Sequence, residues 1–281
     1  MKFPENIDIP LDIWVDAAMD WVLNTFSGFF DLIGTTILYF MLYIEKFFLW
    51  LPWPVLVFGV GIIAWRVLGS WLSGLSMAAM MFFIGSLGLW ELGMMTLSLV
   101  VASVIISLAI GIPLGIAMSS SDRLEGVIKP LLDGMQTMPS FVYLIPALML
   151  FGLGKVPALF ATIIYAVPPV IRLTNVGIRE VSTSVIEAAH AFGSSYWQIL
   201  FKVQLPLARP TILVGVNQTT MMALAMVVIA SMIGAKGLGL EVLLAINRIE
   251  VGRGFEAGLC IVFMAIVIDR ITFAMASVKK T

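Results

Sequence analysis

His190 is the single histidine and Cys260 the single cysteine of this chain. One histidine rules out a multi-histidine metal site. One cysteine excludes an intrachain disulfide and a thiolate metal cluster. Catalysis inside an apolar medium would need paired groups at depth, yet His190 falls in a loop and Asp133 has no evident partner in the sequence. No Ser-His-Asp constellation is defensible. No G-x-x-x-x-G-K-[ST] phosphate loop is present, so the chain itself is not expected to bind ATP. Residues 234–239, Gly-Ala-Lys-Gly-Leu-Gly, are glycine-rich but lack that spacing and read as a turn.

The remaining chemistry is that of an interface. Residues 187–206, EAAHAFGSSYWQILFKVQLP, are the longest stretch of mixed polarity between strongly apolar segments. They read as two short helices with a glycine hinge. Val185, Ala188, Ala189 and Phe192 recur at i, i+3, i+4 and i+7, one apolar face. Glu187, His190 and Ser194 lie on other faces. Gly193 permits a sharp change of direction. Trp197, Leu200 and Phe201 form a second stripe, and Pro206 and Pro210 can open the next helix. Small residues at Ala188, Ala189 and Gly193 let another protein surface approach the backbone. The plainer alternative is an interfacial amphipathic hairpin.

The elements that hold this stretch are membrane spans. Apolar residues are 60% and charged residues 12% of 281, with mean hydropathy +1.06. A soluble domain carries about a quarter charged residues. The result is an all-α polytopic membrane protein with about eight spans of roughly 20 residues. They are expected near 30–50, 54–70, 72–89, 92–118, 130–153, 156–172, 210–234 and 255–276. Tryptophans at 50, 53, 65, 71 and 90 mark the lipid boundary. Residues 1–30, with Asp8, Asp12, Asp16 and Asp20 every four residues, are expected to form an amphipathic helix on the membrane surface. They lack the positive start of a signal peptide. Glu45 and Lys46 intrude into the first span and are expected to snorkel. Seven spans result if 30–50 lies on the surface instead.

Two polar interruptions are candidate pathway elements. Gln136, Thr137, Met138 and Pro139 break the fifth apolar run, which needs protein or a watery cavity to satisfy the freed backbone. A buried proline kink is the alternative. Asn217 and Gln218 sit in the seventh span, where helix–helix glue is the more general use. Lys and Arg fix the orientation. With eight spans and both termini inside, Lys46, Lys155, Lys236, Arg248 and Arg253 lie outside, leaving eleven of the sixteen inside. The 187–206 stretch is then cytoplasmic. A net charge of −1 gives no basic surface for nucleic acid.

Glu187, Ala188, Ala189, Gly193, Leu205 and Pro206 resemble the EAA loop of ABC importer permeases, the loop that docks into a cleft of the ATPase. From about residue 92 onward the chain is similar to permeases of the glycine betaine, proline betaine and choline group. The similarity lies in Leu131-Leu132-Asp133, residues 135–139, Phe141-Val142-Tyr143, residues 167–172, residues 201–208 and residues 234–239. This resemblance implies a type I ABC importer transmembrane domain. It divides the chain into a surface helix at 1–30, accessory spans at 31–90 and a permease core at 91–281 with its coupling loop at 183–206. It implies the bacterial cytoplasmic (inner) membrane, a second permease copy, two ATPase subunits and a separate extracytoplasmic substrate-binding protein. ATP and magnesium are expected on the ATPase, with no cofactor and no enzymatic activity here. A secondary transporter or channel that needs no ATPase is the competing reading.

Overall fold

The computed structural model describes residues 10–277, with side chains described as far as residue 274. Glu5 and Asp8 of the acidic series therefore lie outside the described residues. α1 spans Leu11–Trp50 as one helix of 40 residues, interrupted only by a kink at Phe26 (φ −117°, ψ 21°). The expected division at residue 30 does not break the helix; the change of direction comes four residues earlier. Asp12, Asp16 and Asp20 are exposed, and so are Ile13, Trp14 and Trp21. Nothing among the described residues covers the apolar side of that half. The other half is anchored by Met41 and Glu45, both buried.

α2 (Trp53–Leu68) and α3 (Trp71–Ser86) form a hairpin. Sixteen residues reach only about 24 Å, so each is a short apolar helix. α2 stops at Gly69, whose φ of +72° suits glycine. The two backbones touch at Gly61 and Gly74. A Cβ on Gly74 would lie 2.6 Å from the Gly61 carbonyl oxygen, so a larger residue would force the pair apart.

α4 (Trp90–Ser119) is the central helix. α5 (Asp122–Thr137) follows, then a 3-10 turn at Ser140–Tyr143 and α6 (Leu144–Phe151). The chain bends by 109° between α5 and the segment after it. The expected fifth span is thus a broken pair rather than a straight rod, because Pro139 denies its predecessor the helical conformation. α7 (Lys155–Ala166) and α8 (Pro168–Arg179) make the next crossing. α9 (Thr183–Ala191), α10 (Tyr196–Ile199), a π turn at Leu200–Gln204 and α11 (Leu205–Ser231) come next, then α12 (Leu238–Arg248) and α13 (Val251–Ser277). The polar link expected after residue 235 therefore contains a helix. The glycine-rich turn before it is real. Gly234 and Gly237 have φ of +97° and +145°, and Leu238 N–H donates to Thr96 Oγ1 at 2.8 Å.

The eight expected apolar segments are all present. Among the described residues five helices are long and apolar enough to cross a membrane, six if the bent pair counts as one span, and α2 and α3 are shorter apolar helices. Glycines set how tightly the middle of the molecule packs. A Cβ on Gly115 of α4 would sit 2.6 Å from Thr174 Cβ and 2.7 Å from the Ile171 carbonyl oxygen of α8. Gly111 lies against Val170 in the same interface. On the other side of α8, a Cβ on Gly215 of α11 would be 3.0 Å from Leu173 Cβ, and one on Gly177 would be 3.0 Å from Thr211 Cβ. Close backbone approach at small residues is how apolar helices gain packing energy when lipid is as apolar as they are. α4, α8 and α11 thereby form one tightly packed unit.

Candidate functional site

The 187–206 stretch is mounted on that unit. α9 has no buried residue at all. Glu187, Ala188 and His190 are exposed, and Ala189 is half-buried. The chain then turns at Gly193, where φ is +76° and no atom would obstruct a Cβ. The glycine is required there by backbone conformation rather than by space. Ser195 opens α10 with a capping box, its N–H donating to Gln198 Oε1 at 2.8 Å. Two short helices with a glycine hinge are what the spacing predicts.

The two faces of this stretch differ sharply. Phe192 is 91% and Trp197 62% exposed, and Trp197 stacks on Phe201 with centroids 5.9 Å apart. Ile199 and Leu200 point the other way and are buried. Leu200 packs with Ile178 of α8 and Ala208 of α11, and Ile116 of α4 and Ile212 of α11 close the cluster. Pro206 sits in the first turn of α11, where a missing N–H costs least. Pro210 lies inside α11 rather than opening it. Leu205, half-buried, joins the same apolar cluster. The site thus presents an apolar outer surface and holds on by a small apolar core. Covering Phe192 and Trp197 with another protein would gain about 2 kcal/mol for each side chain.

Polar contacts tie the same region to neighbouring helices. Tyr196 and Ser120 share a hydrogen bond between hydroxyls, linking α10 to the end of α4. Arg179, at the end of α8, donates to Asp122 Oδ1 at 2.7 Å, to Asn175 Oδ1 at 3.0 Å and to the Met118 carbonyl at 3.1 Å. It also pairs with Glu125 at 3.2 Å, and Asn175 donates to the same carboxylate. Two turns earlier, Arg172 pairs with Asp133 at 2.7 Å. α5 is therefore stitched to α8 at two levels. Asp133 has the partner that local reading could not supply, and the acids at 122 and 125 are partners of Arg179 that it did not single out. The signal was the seven-residue spacing of Arg172 and Arg179, which places both on one helix face.

The pathway candidates behave differently from one another. Gln136, Thr137, Met138 and Pro139 are all exposed at the bend. Tyr143 donates its hydroxyl to the Met135 carbonyl, which braces the turn. Asn217 is glue: it donates to Asp269 Oδ1 at 3.0 Å and accepts from Thr272 Oγ1 at 2.5 Å, joining α11 to α13. Gln218 is exposed and makes no hydrogen bond among the described residues. No hydrogen bond joins the 136–139 group to the 217–218 group among the described residues. Glu45 does not snorkel. It is buried, and Lys155 donates to both of its oxygens at 2.7 and 2.6 Å, pinning α1 to α7. Among the described residues no group of three or more His, Cys, Asp or Glu is placed to hold a metal ion.

Residues 107–278 match the family described as binding-protein-dependent transport system inner membrane component. The chain is 46% identical to the glycine betaine/proline betaine transport system permease protein ProW of Escherichia coli (strain K12), over 95% of this chain and 75% of that one. It is 45% identical to the glycine betaine/carnitine transport permease protein GbuB of Listeria monocytogenes, over 99% of each. It is also 45% identical to the glycine betaine transport system permease protein OpuAB of Bacillus subtilis, over 97% and 96%. In fold it is similar to a chain of the MetNI methionine ABC transporter in an inward-facing form, with TM-score 0.60 and 19% identity, over 67% of this chain and 94% of that one.

Proposed function

The chain belongs to the family of binding-protein-dependent transport system inner membrane components, and from that premise we propose that it is the permease subunit of an ATP-driven importer of glycine betaine or a related quaternary ammonium osmolyte. Two copies of the chain form the pathway, two ATPase subunits seat the 187–206 loops, and an extracytoplasmic binding protein delivers the substrate. ATP and magnesium act on the ATPase; this chain carries no cofactor and catalyses nothing. The chain sits in the bacterial cytoplasmic membrane with both termini inside, in keeping with the distribution of Lys and Arg. Residues 91–281 are the transport core and 31–90 an accessory region.

One observation carries the reading: α9 has no buried residue, while Leu200 and Leu205, further along the same stretch, are anchored in the α4–α8–α11 unit. A surface that grips a partner and a rigid base that does not yield are what turns the closure of two ATPases into a change of membrane access. A ligand or partner drives such a change only through different contacts with the two states, and the loop is where the ATPase makes them. Glu187, Ala188, Ala189, Gly193, Leu205 and Pro206 are the coupling residues. Gln136–Pro139 line the pathway, and Asn217 holds the α11–α13 pair that borders it.

The test is uptake of labelled glycine betaine into proteoliposomes holding the permease, the ATPase and the binding protein. Glu187→Ala and Gly193→Pro are expected to abolish uptake and to loosen the ATPase while leaving membrane insertion intact. Full transport by both variants overturns the assignment. Uptake by the chain alone, without ATP, would establish the secondary-transporter reading instead.

A further inference from the structure

α4 is 30 residues long, about 45 Å from end to end. Its Ser119 end meets the coupling loop, so its Trp90 end lies at the opposite membrane face. There the hairpin and α4 border an open-sided pocket of about 530 Å³. Its lining includes Trp53, Phe82, Trp90 and Glu91. Trp53 and Phe82 lie 6.0 Å apart, tilted by 56°, and both are more than half exposed. Trp90 rests over Gly85, where a Cβ would stand 3.5 Å from its ring. Every one of these residues precedes residue 107, where the family match begins.

Tryptophan at a lipid boundary and an acid in the first turn of a helix each have ordinary explanations. Neither explains why three aromatic residues and an acid line one cavity. No ion pair of the described residues involves Glu91. Other polar groups are scarce. Ser86 already donates its hydroxyl to the Phe83 carbonyl at 2.8 Å. A hard divalent ion needs six or more oxygens, and a primary ammonium needs three acceptors. The walls supply neither set. A quaternary ammonium has no N–H to satisfy, its methyl groups suit ring faces, and its charge is drawn to both the rings and a carboxylate.

We propose that this pocket binds an organic monocation of the trimethylammonium class, with the methyl groups on Trp53, Phe82 and Trp90 and the charge facing Glu91. The occupant is either a free solute cation or the headgroup of a choline lipid; the chemistry is shared. The site is independent of the coupling loop. It rests on the transport reading only for the side of the membrane it faces.

The probe is tritiated choline, with the full chain in phosphatidylglycerol nanodiscs and neither ATPase nor binding protein present. Saturable binding is expected, weakened about tenfold in Glu91→Gln and in Trp90→Leu. Tetramethylammonium should compete, and the uncharged isostere 3,3-dimethylbutanol should not. Gly193→Pro, which breaks coupling, should bind as the wild type does. In the lipid arm, phosphatidylcholine should stay with the wild type through native mass spectrometry and leave the Glu91→Gln variant. Either arm alone supports the site and names its source. The proposal is overturned if choline binding and lipid retention are both absent, or if neither variant weakens them. It is equally overturned if the neutral isostere competes as well as the cation, or if Gly193→Pro abolishes binding. Should Glu91→Gln fail to insert, Trp90→Leu and the isostere competition still decide.

Discussion

The two ends of α4 are built for opposite purposes. At the Ser119 end, glycines bring α8 against α4 at backbone distance, Arg179 gathers two carboxylates and a carbonyl, and the loop beyond projects bare aromatic rings. At the Trp90 end, the neighbouring hairpin stands off far enough to leave a cavity, and Glu91 in its lining forms no ion pair among the described residues. The first end is stiff with an apolar outer surface; the second is open with an unspent charge. On the proposed reading the loop is a lever, which must not flex between the point of push and the load, and a mount saturated with contacts meets that demand. A binding pocket must keep its interaction capacity unused until the ligand arrives. The same helix carries both because their demands are separated by its whole length.

Breaking the stiff end should have the largest consequence. Gly115→Leu places a side chain into the Ile171 carbonyl and Thr174, and is expected to destabilise the chain by about 3 kcal/mol and to abolish uptake. Thermal unfolding in detergent checks the first and proteoliposome flux the second; wild-type values for both would remove the rigid mount from the account. A smaller loss is expected from Glu45→Ala, which strands Lys155 in a largely buried setting. About 2 kcal/mol is the expected cost, below that of a fully buried pair because Lys155 is partly exposed. Glu45→Gln combined with Lys155→Met should recover most of it, and an unrecovered double variant would point to a role beyond pairing. Arg179→Ala should cost least, about 1 kcal/mol, since Asp122 is largely exposed. Its sharper signature is functional. Uptake should fall while choline binding at the Trp90 end stays unchanged, and a parallel fall in both would erase the distinction between the two ends.

Much of this molecule is legible from its residues. The apolar runs mark the apolar helices, and the 3.6-residue period with Gly193 marks both halves of the 187–206 stretch. Local signals fail where partners are distant in the chain. Glu45 and Lys155 are 110 residues apart, and Asp133 and Arg172 are 39 apart, so neither pairing leaves a trace in periodicity. Glu45 looks like a snorkelling charge until α7 arrives beside it. The bend at Pro139 is visible as a polar break, but its 109° is set by where α5 and α6 find partners. α12 was hidden because it mixes charges with apolar residues in a stretch that reads as a link. The pocket at Trp90 escaped for a similar reason: Trp53 and Trp90 read singly as boundary anchors and Phe82 as part of an apolar run, and only the hairpin brings them together.

Whether the loop and its mount move as one body can be read directly from spin-label distances. Labels at Ser184 in α9 and Ile110 in α4 are both on exposed positions, and buried Cys260 is replaced by serine to leave one pair. With a single labelled copy in the assembled transporter, the Ser184–Ile110 distance is expected to hold within about 2 Å, the amplitude of a helix shift inside a packed interface, whether or not ATP is bound. The distance between Ser184 labels on the two copies should change with nucleotide. A Ser184–Ile110 distance that shifts by more, while the copies keep their separation, would show that the loop flexes on its base and cannot act as the lever.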